Sequence, residues 1–65
     1  MQPHQQRVVE EQNDLEDKLA KLRKFHVSTT FDGLAPAEQA RLHAQAIFMS
    51  AYNDILKVRI EAFGA

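Results

Sequence analysis

The sequence predicts an all-α protein: an antiparallel hairpin of two long helices that assembles with copies of itself into a homo-oligomeric bundle. Three observations predict it. Two prolines and two glycines are the only strong backbone punctuators, and they sit where helices would begin and end. A seven-residue apolar repeat runs through the first half of the chain. The second half is apolar around more of its circumference than a single partner helix covers.

The elements follow in chain order. Pro3 suits the first turn of a helix, where its missing N–H costs nothing, and opens a first helix over residues 3–26. Val8, Leu15 and Leu22 are spaced by seven, with Leu19 between the last two, and form one narrow stripe. His4 and His26 lie at the two ends of that stripe, and Arg7, Lys18 and Phe25 share one flank of it. Glu10, Asp14, Asp17, Lys21 and Lys24 cover most of the rest. The acids come early and Lys18, Lys21, Arg23 and Lys24 come late, which suits the helix dipole. The run Ser28-Thr29-Thr30-Phe31-Asp32-Gly33 predicts a turn over residues 27–35. Pro36 opens a second helix over residues 36–63, with Gly64 placed to cap it. A short connection folds two helices of roughly 35–40 Å back on each other. Residues 1–65 read as one hairpin unit.

Size argues for assembly. Ordering 65 residues costs on the order of 100 kcal/mol of conformational entropy, and so short a chain buries little apolar surface against it. Without cysteine, neither disulfides nor a cysteine-based zinc site is available. Oligomerisation is the remaining staple. Independently, the apolar residues of the second helix spread over roughly 220° of its wheel, where one partner helix needs only about 100°. Another copy of the chain is the natural cover for the excess.

Composition narrows the chemistry. The formal charge is −1, too acidic a balance for a protein that coats a DNA or RNA polymer. The chain has neither a long apolar run nor a signal-peptide core, which predicts a soluble cytoplasmic protein with no membrane partner. There is no Gly-x-Ser-x-Gly elbow and no phosphate-gripping glycine loop, and the three histidines lack metal-site spacing. A binding role is therefore expected rather than catalysis, with no metal and no cofactor. One anomaly marks a ligand site. Arg41 and Arg59 are five helical turns apart and so share one angular position, inside the apolar stripe beside Phe48, Tyr52 and Phe63; Gln45 lies about 40° away. Either they reach solvent or a carboxylate, or they bind a phosphate or carboxylate ligand at a subunit junction.

Longer patterns carry a resemblance. Pro3-His4-Gln5-Gln6-Arg7-Val8-Val9-x-Glu11 is followed by Asp14-Leu15-x-x-Lys18-Leu19-x-Lys21-Leu22-x-x-Phe25 and by Phe31-x-x-Leu34. The chain then runs Glu38-x-x-Arg41-Leu42-x-x-Gln45-x-x-x-Met49-x-x-Tyr52-x-x-Ile55-Leu56-x-x-Arg59-Ile60-x-x-Phe63. Over about residues 3–63 this resembles the type-two anti-CBASS sponges, small phage counter-defence hairpins also found, joined to a further domain, in anti-Thoeris sponges. The stand-alone sponge is the closer match in length.

The resemblance implies a hexamer of hairpins that binds cyclic oligonucleotide signals in the cytoplasm of the infected bacterial host and starves the effector of its activator. It implies two kinds of pocket, both between protomers. For cyclic dinucleotides the matching positions are Lys18, with Lys21 as the fallback, and His4 where the family carries a stacking aromatic; Arg7 joins them from the same flank. For cyclic trinucleotides they are Arg59, with His43, Gln45 and Arg41 as helpers. The competing expectation is a purely structural or adaptor hairpin with no nucleotide ligand.

Overall fold

The computed structural model describes residues 1–64. Among them every regular element is helical: α1 over Pro3–His26, α2 over Thr29–Asp32 and α3 over Pro36–Ala62. The molecule is a rod of 46 × 14 × 14 Å. The rod is one hairpin, because cross-helix partners descend along α3 as they ascend along α1: Gln12 meets Asn53, Arg23 meets Ser50 and His26 meets His43.

Both long helices start at a proline in the first turn. The N–H of Gln2 donates to Oε1 of Gln5 at 3.0 Å, so the first turn of α1 closes on itself. The segment expected as an open turn contains a helical turn of its own, α2. The cause is Ser28, whose Oγ accepts from the Phe31 N–H at 3.1 Å and donates to the Phe25 carbonyl at 2.6 Å. One hydroxyl thus ends α1 and caps α2. Nε2 of Gln39 then reaches back to the Phe31 carbonyl at 2.9 Å and ties α3 to the connection. At the far end, Phe63 and not Gly64 is the cap residue of α3, and neither glycine has a positive φ. The glycines therefore mark element ends without supplying left-handed backbone.

The core is a single seam. Val8, Leu15 and Leu56 form its buried cluster, with Met49, Ile60 and Phe63 packed against it. Leu56 is completely buried and Leu19 nearly so. The seven-residue stripe of α1 thus faces α3 as its spacing predicts. At the turn end, Phe31 is buried and packs edge-on to Phe25, His26 and His43, with ring centroids 6.0, 4.9 and 5.4 Å away. The His26 and His43 rings stack at 4.8 Å. Nε2 of His26 is enclosed there without a hydrogen-bond partner.

One buried residue is polar. Asn53 is 4% exposed, and both ends of its amide are engaged across the seam. Its Oδ1 accepts from Nε2 of Gln12 at 3.1 Å, and its Nδ2 donates to Oε2 of Glu16 at 2.9 Å. The same Glu16 oxygen accepts from Nε2 of Gln12 at 2.7 Å and pairs with Nζ of Lys57 at 3.2 Å. Three donors on one carboxylate oxygen, first Asn53 and then Lys57, hold the Glu16 carboxyl below its ordinary range.

Two outcomes are expected. Leu56→Ala should lower unfolding stability by about 2–5 kcal/mol, the usual cost of emptying a core leucine site, and Leu56→Asp should abolish the cooperative melt followed by circular dichroism. Because its pKa is depressed in the fold, Glu16 stabilises the hairpin above the ordinary carboxylate range, and that contribution is lost as pH falls through the lowered value. Glu16→Gln should therefore be less stable than the parent at neutral pH, and the gap should close in acid, as read from melts across the pH series.

Candidate functional site

Outside the seam, the flank of α1 carries charge in a set order. Arg7, Glu11, Asp14 and Lys18 follow one another at four, three and four residues, so all four fall on one narrow strip of the helix. The cations stand at its two ends, roughly 16 Å apart along the axis, and the carboxylates stand between them. Tyr52 of α3 lies one residue before Asn53, and the Asn53 network fixes that part of α3 against α1. A groove of about 420 Å³ results, lined by Arg7, Glu10, Glu11, Asp14, Leu15, Lys18 and Tyr52. Among the described residues, none of these five charged side chains forms an ion pair.

The groove brings together Arg7 and Lys18 of the four residues expected at a dinucleotide pocket. His4 is exposed at the start of α1 and does not line it. Lys21 points elsewhere, paired with Asp17 at 3.4 Å. Lys18 does not take the equivalent partner, Asp14, so its ammonium is available to a ligand.

The residues expected at a trinucleotide pocket do not converge within one chain. Arg41 is exposed and its Nε pairs with Oε1 of Glu38 at 2.7 Å. His43 is drawn into the aromatic cluster at the turn end by His26 and Phe31. Nε2 of Gln45 sits 3.8 Å from Sδ of Met49. Arg59, roughly 27 Å from Arg41 along α3, is exposed and has no carboxylate partner among the described residues. Any shared pocket would need these residues from different copies.

The dinucleotide pocket expected from the sequence left out Tyr52 and gave Glu11 and Asp14 no part in it. The four-three-four spacing was the signal that puts Glu11 and Asp14 between the two cations. Tyr52 could be placed only once the register of α3 on α1 was known.

No helix is long and apolar enough to cross a membrane, and no cluster of three metal-ligating side chains occurs among the described residues. No curated protein and no solved structure matches the chain. A family model does: Sequestin, over residues 2–62. Sequestin-type proteins are phage sponges that sequester cyclic oligonucleotide signals, a binding family and not a known enzyme family. That agrees with the resemblance read from the motifs, and with the match spanning nearly its whole length the chain belongs to the Sequestin family.

Proposed function

We propose that this protein binds and holds the cyclic dinucleotide and trinucleotide signals of CBASS immunity, without catalysis, in the cytoplasm of the infected host. The observation that carries the reading is the groove, which Arg7, Lys18 and Tyr52 line together with neither cation in an ion pair among the described residues. Guanidinium and ammonium groups bind phosphate oxygens through charge-assisted hydrogen bonds, and a phenol ring stacks a base.

The groove is half a pocket. Arg7 and Lys18 are too far apart for one phosphate to touch both, so a second copy brings its own groove alongside and pairs the Lys18 of one chain with the Arg7 of the other. His4 then lies at the mouth, against a base. Lys21, outside the groove and paired with Asp17, keeps only the fallback role. The outward face of α3 supports assembly: Ile47, Phe48, Ile55 and Val58 are 67, 73, 58 and 59% exposed in the single chain. Apolar surface of that extent on a small hairpin is best covered by further copies, up to the hexamer. In such a bundle Arg59 is the cation free to meet a cyclic trinucleotide, with Gln45, His43 and Arg41 contributed by neighbours. The ion pair between Arg41 and Glu38 favours the second reading, a structural hairpin, for that residue alone.

Titration calorimetry with a cyclic dinucleotide tests the first pocket. Lys18→Ala should lose about 2 kcal/mol, close to thirtyfold in Kd. His4→Tyr should hold or gain affinity, because it enlarges the stacking face. Parent-like binding by Lys18→Ala would remove the phosphate anchor and the pocket with it. Light scattering during size exclusion should give a particle several times the 7.4 kDa chain. Arg59→Ala should keep that size while weakening cyclic trinucleotide binding. A monodisperse monomer, or unfolding of the Arg59 variant, would assign these residues to structure instead.

A further inference from the structure

The groove holds three carboxylates, Glu10, Glu11 and Asp14, against only two cations. For a site that receives phosphates this is the wrong balance, unless the carboxylates act on ligands that must be kept out. None of the three is neutralised by an ion pair, so all face the groove as open negative charge. Glu11 and Asp14 stand between Arg7 and Lys18 on the same strip of α1.

Nucleotides differ in what they would bring there. In a cyclic oligonucleotide every phosphate is a diester and carries a single negative charge. Its linear hydrolysis product exposes a terminal phosphomonoester, with a charge of about −1.5 to −2 at neutral pH. Nucleoside triphosphates bring more. In the paired grooves the Lys18 and Arg7 cations hold the two diesters of the ring, whereas additional charge meets a carboxylate. Discrimination of this kind works by repelling the wrong ligand rather than by gripping the right one harder.

We propose that Glu10, Glu11 and Asp14 form an electrostatic filter that admits cyclic phosphodiesters and rejects nucleotides ending in a phosphomonoester or polyphosphate. The filter keeps the groove clear of abundant linear nucleotides, including the opened form of its own ligand. It rests on the reading of the groove as the dinucleotide pocket and adds the selectivity of that pocket.

The test compares three ligands that share their bases: 3′,3′-cyclic di-AMP, linear ApA with no terminal phosphate, and linear pApA with one. Affinities are measured by calorimetry for the parent and for the combined variant Glu10→Gln, Glu11→Gln, Asp14→Asn, whose three positions are all exposed. The parent should favour ApA over pApA, and raising the salt from 50 to 300 mM should narrow that gap as screening sets in. In the variant pApA should gain at least tenfold relative to both other ligands. An unchanged ratio of pApA to ApA in the variant, or a parent that binds pApA as tightly as the ring, overturns the filter while leaving the pocket standing. Failure of the parent to bind cyclic di-AMP overturns the pocket, and the filter falls with it.

Discussion

The structure depends on one buried amide. Two smooth apolar stripes could slide past each other by a helical turn and still bury leucine against leucine. Asn53 removes that freedom, because its amide is satisfied only where Gln12 and Glu16 stand opposite it. A slip of one turn would strand a buried polar group, which costs more than the hydrogen bonds themselves contribute. Lys57, one turn further along α3, meets the same Glu16 oxygen and reinforces the same register. A polar residue inside an otherwise apolar seam is a known way to fix alignment between helices. Here it also sets the groove, because Tyr52 is carried to its place beside the Arg7–Lys18 flank by its neighbour Asn53.

A second constraint is scarcity. Only Val8, Leu15, Leu19, Phe31 and Leu56 are buried apolar side chains in the described chain. A helix of 27 residues such as α3 commits one face to this seam and leaves another, with Ile47, Phe48, Ile55 and Val58, in water. The two faces answer different needs. The inner face fixes the hairpin as a rigid unit, and the outer face is left free to meet another surface. A ligand pocket shared between two such units, as proposed, would be positioned by rigid helices rather than loops, and little ordering entropy would be lost on binding.

The long elements were legible in the sequence because their signals are local. Pro3 and Pro36 mark the helix starts, and the spacing of Val8, Leu15 and Leu22 marks the inward face of α1. The one-turn helix α2 was not legible, since Thr29-Thr30-Phe31-Asp32 has turn composition and its helicity depends on the double role of the Ser28 hydroxyl. The glycine caps were over-read: Gly64 follows the last apolar residue but adopts no left-handed conformation. At the site, the flank shared by Arg7 and Lys18 follows from helical arithmetic. The part played by Asn53 does not, because nothing in a polar residue between Tyr52 and Asp54 says that it faces inward. His43 entered the expected trinucleotide pocket through the resemblance; the packing of its ring on His26, 17 residues away in sequence, is a contact that only the fold supplies.

The charge pattern of α1 can now be read as two different uses of the same residue type. On the seam, the Glu16 carboxylate gathers three donors onto one oxygen and is held ionised by them. On the adjacent flank, Glu10, Glu11 and Asp14 gather none. Helix surfaces ordinarily pair such acids with lysine or arginine one turn away, as Asp17 does with Lys21 and Glu38 with Arg41. Arg7 lies within one turn of Glu10 and Glu11, and Lys18 within one turn of Asp14, yet those pairs are not made. A sponge gains by this arrangement. Cations already committed to carboxylates would have to be released before they could hold a phosphate, and that release would subtract from affinity. In the proposed pocket, leaving both signs unpaired would keep the cations ready for phosphodiesters and the carboxylates active against whatever carries too much charge.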